Sequence, residues 1–142
     1  MKIYNTLSGK KEEFSPINKN KVRMYACGIT VSGDAHIGHA YQALIYDIIR
    51  KYLEMKGYKV EYARNYTDVD DKIIAKSKEH NKDPLEYAKE MIIKTDSEMK
   101  RFKVDEPNIW LKATNSIDQI INFIEELIKK GHAYKTQSGD VY

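Results

Sequence analysis

The chain of 142 residues has one cysteine, three prolines and seven glycines. A single thiol, Cys27, excludes an intramolecular disulfide. So few prolines and glycines exclude a flexible linker or a collagen-like repeat, and no internal repeat is present. No apolar run approaches the roughly 20 residues that a membrane span requires. The opening Met1-Lys2-Ile3-Tyr4-Asn5 lacks the apolar stretch of a secretion signal, so a cytoplasmic protein with no membrane partner is expected. A strong charge bias is missing as well. The 24 basic and 21 acidic residues leave a net +3, which permits a nucleic-acid partner without demanding one. What is present is 42% hydrophobic residues, 32% charged residues and eleven tyrosines. That composition excludes wholesale disorder and suits one packed domain of mostly regular structure.

Patterning along the chain gives the element order. Residues 3–14 read as two short extended pieces about the turn dipeptide Ser8-Gly9. Met24 to Cys27 is a short apolar run, expected to be a buried strand that ends in a loop at Gly28. Ser32-Gly33-Asp34 marks a turn. From Gly38 to Lys56, Leu44, Ile45, Ile48, Ile49, Tyr52 and Leu53 recur at helical spacing, and Gly57 closes that helix. Lys59 to Tyr66 alternates as a strand does. Strand, helix, strand with a crossover of this length is a βαβ unit, so the fold class is α/β. In such a sheet, ligands sit beyond the carboxyl ends of the strands, where the segments after Cys27 and after Tyr66 both lie.

The second half reads as helical. One helix is expected over 71–80 and another from Pro84 to about Phe102 with Asp83 as its cap. Residues 104–113 read as irregular. Asn115 or Ser116 then caps an amphipathic helix whose Ile117, Ile120, Ile121, Ile124, Leu127 and Ile128 read as a core-packing face. Residues 133–142 suggest a hairpin around Ser138-Gly139 that stops mid-pattern, as in a fragment of a longer protein. Trp110 suits either packing or a surface position.

Three features carry candidate chemistry. His36-Ile37-Gly38-His39 lies where a strand hands over to a helix. Its imidazoles, three apart, are expected on one face of the first helical turn. Gly38 leaves room for a ligand against the backbone, and a helix N-terminus suits phosphate. Cys27 reads either as a small buried hydrophobe or as a metal thiolate. Asp68, Asp70 and Asp71 read either as oxygen ligands for magnesium or, for Asp70 or Asp71, as a cap for the helix that follows.

Three segments occur in one order: Cys27-Gly28-Ile29-Thr30-Val31, His36-Ile37-Gly38-His39-Ala40, and Asn65-Tyr66-Thr67-Asp68-Val69-Asp70-Asp71-Lys72-Ile73-Ile74. Together they resemble the amino-terminal half of the catalytic domain of cysteinyl-tRNA synthetase, a class I aminoacyl-tRNA synthetase. Tyr4-Asn5-Thr6-Leu7, Lys11 to Phe14, Lys130 to Tyr134 and Gly139-Asp140-Val141 are similar too, so the resemblance covers essentially the whole chain. It implies a Rossmann-like parallel sheet with flanking helices. Residues 1–142 would then be the amino-terminal portion of a nucleotide-binding catalytic domain.

The resemblance also implies ATP-dependent activation of L-cysteine to cysteinyl-adenylate and transfer to tRNA(Cys). His36 and His39 would stabilise the α-phosphate. Ile29, Thr30 and Gly38 would join them in binding ATP, and Gly28 and Thr67 would meet the amino acid. Cys27 would be one zinc ligand, the others lying beyond residue 142, and magnesium would arrive with ATP. A monomer is expected. The second class I signature, a Lys-Met-Ser-Lys-Ser-like loop, is absent, so these 142 residues alone are expected to be inactive. Two rivals are a paralogous cysteine ligase of the mycothiol-pathway type and a non-enzymatic nucleotide-binding fragment.

Overall fold

The computed structural model describes residues 1–142. The first two strands, β1 (Lys2–Asn5) and β2 (Lys10–Glu13), pair antiparallel as a separate hairpin. Gly9 closes it at φ +67°, a left-handed angle that glycine adopts without strain. There follow β3 (Lys21–Thr30), α1 (Ile37–Met55), β4 (Lys59–Thr67), α2 (Asp71–Glu79), α3 (Pro84–Arg101), β5 (Ile109–Lys112) and α4 (Ile117–Lys129). Strands β3, β4 and β5 form one parallel sheet with β4 in the centre, and helices fill both crossovers. The expected α/β architecture is the one that forms.

The helices cover one face of that sheet. Val60, Tyr62, Arg64 and Tyr66 alternate inward along β4 and are buried. Tyr62 packs with Val22, Ala26 and with Leu53 of α1. Tyr66 packs with Ile29, Val31 and with Ile73, Tyr87 and Ile92 of α2 and α3. The opposite face, carrying Tyr25, Cys27, Ala63, Asn65 and Thr67, stays open or half-buried. That open face and the carboxyl ends of the strands are where a ligand can reach the fold.

Three local expectations are corrected. Residues 104–113 are not all irregular, because Ile109–Lys112 pairs with β4 as β5. Four residues are too few to show a period. Within that strand Trp110 lies over Tyr66 at 4.3 Å between ring centroids, which makes it a packing residue. Secondly, β3 does not end at Cys27. It continues to Thr30 through a bulge between Ala26 and Ile29, where Cys27 and Gly28 together face one β4 residue.

Helix α1 buries Ala40, Ala43, Asp47, Arg50 and Leu53, while Leu44 and Ile48 stay 39% and 53% exposed. Small alanines admit the helix close to the sheet, and a paired Asp47 and Arg50 follow them inward. Lastly, α4 buries no residue at all, so its apolar face is not core packing within this chain. Ser116 precedes α4, but its hydroxyl donates back to the Lys112 carbonyl at 3.2 Å instead of capping the helix.

Candidate active site

The site begins with the turn after β3. His36 is not inside the first helical turn, as its spacing suggested. It is the N-cap of α1, with extended backbone, and only His39 lies within the helix. The Nδ1 atom of His36 accepts from the Gly38 backbone N–H at 3.1 Å. The Nδ1 atom of His39 accepts from the His36 N–H at 3.3 Å. Two imidazoles thus make the reciprocal capping box that Ser or Thr and Glu usually make. Their rings stack with centroids 3.8 Å apart. A Cβ on residue 38 would meet the His36 ring at 2.9 Å, so the glycine is what seats that ring.

This geometry fixes a chemical state. A neutral imidazole that accepts at Nδ1 carries its proton on Nε2. Both side chains therefore offer an Nε2–H donor beyond the turn. No acidic residue occupies the first turn of α1 to offset the positive end of the helix dipole, and the Gly38 and His39 N–H groups there already donate to His36. Stacked donors at a helix N-terminus suit an anion, phosphate above all.

His39 is held below its ordinary value of 6.5, first by burial, then by the nearby His36 and Arg64. Arg64 is 4% exposed and reaches α1 through a bond from Nη2 to Gln42 Oε1 at 3.3 Å. A histidine with a depressed value is neutral in the folded chain where it would already be charged in the unfolded one. Its contribution to stability is present above pH 6.5 and is lost as the pH falls through the folded value. An NMR titration is expected to show His39 with its proton on Nε2 and a midpoint below 6.5. Arg64→Met is expected to raise that midpoint. A midpoint at or above the ordinary value in the parent chain defeats the assignment.

The sheet's open face supplies the second group of residues. Cys27 is exposed. Thr30 of β3 pairs directly with Thr67 of β4, and the Val31 N–H donates to the Thr67 carbonyl at 3.3 Å. Ile29 points its side chain into the core at 4% exposure, so only its backbone is left to meet a ligand. Gly28 lies so close to β4 that a Cβ there would stand 1.4 Å from the Asn65 carbonyl oxygen. Thus Cys27, Gly28, Thr30 and Thr67 gather on one face at the carboxyl end of the sheet. His36, Gly38 and His39 form the turn that follows.

The acidic segment after β4 resolves in favour of structure. Asp68 is buried and accepts from the Thr114 N–H at 3.0 Å and its hydroxyl at 2.5 Å. Asp70 caps α2 by accepting from the Lys72 N–H at 2.8 Å. Zinc takes about four ligands. No group of three or more His, Cys, Asp or Glu side chains comes together in these residues, so the chain by itself does not furnish that set. His80 ends α2 and stacks on Tyr87, away from any such role. Asn65, Arg64 and Thr114 were not singled out from the sequence. The only signal for them there is a polar residue inside a strand or next to a turn.

A parallel sheet whose first long strand leads into a histidine-capped helix is an α/β fold with a solved counterpart. It superposes on a Campylobacter jejuni protein assigned as an arginyl-tRNA synthetase with a TM-score of 0.61 and 12% identity, over 86% of this chain and 37% of that one. At that identity the likeness is one of fold. Residues 13–142 match the family described as tRNA synthetases class I (C) catalytic domain, and the chain belongs to that family. It is 48% identical over its whole length to a cysteine–tRNA ligase of Syntrophotalea carbinolica. It is also 48% identical, over 98% of the chain, to a cysteine–tRNA ligase of Pyrococcus horikoshii. The chain spans 29% of the length of each of these relatives.

Proposed function

We propose that these residues form the amino-terminal portion of the catalytic domain of an enzyme that joins L-cysteine to tRNA(Cys) with ATP. The observation that carries this reading is the pair of stacked imidazoles capping α1, whose Nδ1 atoms accept within the turn and so leave the Nε2 protons as donors. Those donors bind the α-phosphate oxygens of ATP as the cysteine carboxylate oxygen attacks the phosphorus. The bond to the departing pyrophosphate breaks, and cysteinyl-adenylate forms. A hydroxyl of the terminal tRNA adenosine then attacks the carbonyl carbon and AMP leaves. The imidazoles act by position and charge on an oxygen whose negative charge grows, not as nucleophiles.

The rest of the site follows from its placement. Thr30, Gly38 and the Ile29 backbone line the nucleotide's approach from the end of β3. Gly28 and Thr67 face the amino acid on the open side of the sheet. Cys27, exposed on that side, would be one zinc ligand, with the remaining ligands supplied from outside these residues. Zinc bound there would prefer a sulfur donor, which would separate cysteine from serine. Magnesium accompanies the triphosphate. The enzyme works as a monomer in the cytoplasm. No helix of the chain is long and apolar enough to cross a membrane.

The test is calorimetric. The chain is titrated with ATP and with a non-hydrolysable cysteinyl-adenylate analogue, then the titrations are repeated on the double variant His36→Ala, His39→Ala. Each lost hydrogen bond to a charged oxygen costs about 1.5–3 kcal/mol, so affinity is expected to fall at least roughly a hundredfold. Unchanged binding by the double variant removes the phosphate role assigned to the turn.

A further inference from the structure

Asn65 has no role in the function proposed above, yet its side chain touches both Gly28 and Thr67 on the open sheet face. Its side-chain oxygen accepts from the Gly28 backbone N–H at 2.8 Å. The same oxygen accepts from the Tyr25 hydroxyl at 2.8 Å. Its Nδ2 atom donates to the Thr67 hydroxyl oxygen at 3.3 Å. The orientation of the amide is forced, because a backbone N–H only donates and must face the oxygen. The NH2 group is left for Thr67.

We propose that Asn65 is a positioning residue for the amino-acid half of the site: one carboxamide pins the Cys27–Gly28 bulge with its oxygen and aims the Thr67 hydroxyl with its nitrogen. The proposal rests on the reading of Thr67 and Cys27 as the residues that meet the amino acid. The bulge places two residues of β3 opposite this one position of β4. An extra residue in a strand is free to buckle unless something fills its unpaired donor. The Asn65 oxygen takes the Gly28 N–H, and the exposed Cys27 thiol next to it is thereby held on the open face. On the other side, a hydroxyl that accepts from Nδ2 keeps its own proton for a group outside the sheet. Thr67 therefore faces the open side as a donor of fixed direction rather than as a free rotor. Asn65 makes both adjustments at once because β4 places it between the bulge and Thr67.

Two variants separate the two arms. Asn65→Asp keeps an oxygen for Gly28 and Tyr25 but cannot donate to Thr67. Asn65→Ala removes both arms. Three readouts are taken on the whole chain. Amide exchange at Gly28 reports the bulge. Three-bond couplings report the Thr67 χ1 rotamer. The ratio of affinities for a cysteinyl-sulfamoyl-adenosine analogue and for sulfamoyladenosine, which lacks the amino acid, reports the pocket. In Asn65→Ala the Gly28 amide is expected to exchange at least about tenfold faster, Thr67 to populate several rotamers, and the affinity ratio to fall roughly tenfold, the worth of one lost bond. Sulfamoyladenosine itself is expected to bind as in the parent, which a general loss of structure would not allow. In Asn65→Asp the Gly28 protection stays and the ratio falls.

An unchanged Gly28 amide in Asn65→Ala, or an unchanged ratio in both variants, overturns the proposal. Equal losses for both ligands also overturn it. Should Asn65→Ala fail to fold, Asn65→Asp decides the Thr67 arm and Tyr25→Phe, read at the Gly28 amide, decides the bulge arm. A parent chain with no preference for the cysteinyl compound defeats the cysteine reading instead. Asn65 is then judged on the Gly28 exchange and the Thr67 rotamer alone.

Discussion

Replacing Gly28 by alanine is expected to be the most damaging single methyl group in the chain. The added Cβ would lie 1.4 Å from the carbonyl oxygen of Asn65 and 2.6 Å from its carbonyl carbon. Both atoms are backbone in the central strand, so no side chain can rotate out of the way. Either β3 separates from β4 at the bulge or the bulge is expelled. Overpacking a well-filled interior commonly costs about 1–3 kcal/mol, and a backbone collision belongs at or above the top of that range. The loss also breaks the bond from Gly28 N–H to the Asn65 side chain. The measurement is a urea unfolding curve, and a fall of at least roughly 3 kcal/mol is expected. Gly33→Ala is the control, because nothing stands within 4 Å of a Cβ there. It should change stability by less than about 0.5 kcal/mol. Equal midpoints for Gly28→Ala and the parent would show that β3 does not approach β4 as described.

The second large effect is expected at Asp47. This carboxylate is 2% exposed and binds Arg50 Nη2 at 2.7 Å and Lys51 Nζ at 2.7 Å. Arg50, 8% exposed, also meets Asp105 at 3.1 Å and the Glu106 carbonyl at 3.4 Å, while its Nε has no partner. Asp47→Ala leaves that guanidinium buried with only the more exposed Asp105 as counter-charge. Removing one member of a buried pair costs about 3–5 kcal/mol, chiefly through the stranded charge. The same reasoning predicts a different result for a joint replacement. Asp47→Leu with Arg50→Met removes both charges and is expected to lie within about 1 kcal/mol of the parent or above it. Unfolding curves of the two variants and the parent decide the matter. A single variant as stable as the parent would mean that the charges reach water. The network also ties α1 to the segment leading into β5, so the single variant should loosen Trp110, whose fluorescence offers a second readout.

Much of this was legible before the structure. The βαβ unit follows from a short apolar run, a helical period and an alternating strand in succession, and each pattern is local. Asp70 and Asp83 stand where caps belong, and both cap. The hairpin at residues 2–13 follows from one turn dipeptide. The illegible parts share a physical cause. Strand β5 is too short for a period and exists because β4 offers it a partner. The exposure of the α4 face depends on what else is present to cover it, which no pattern inside the helix records. The helical period shows that α1 is a helix but not which side faces the sheet, and packing took the side with Ala40, Ala43 and Leu53 and brought Asp47 in with its own counter-ion.

The candidate site divides along the same line. Sequence by itself placed the candidates His36, His39 and Cys27, together with Thr67 named through the family resemblance, at the carboxyl ends of parallel strands. Residue type and order suffice for that, since a βαβ unit brings those ends together whatever the details. Only the tertiary structure decided how the groups are presented. It placed His36 outside the helix as its cap, stacked the two rings and engaged both Nδ1 atoms, which leaves the protons on Nε2. It inserted a bulge that turns Cys27 to the open face and set Asn65 between the bulge and Thr67. Those choices depend on contacts between strands 37 residues apart in the chain, where the energy of a hydrogen bond depends on where two distant backbones meet rather than on the neighbours of either.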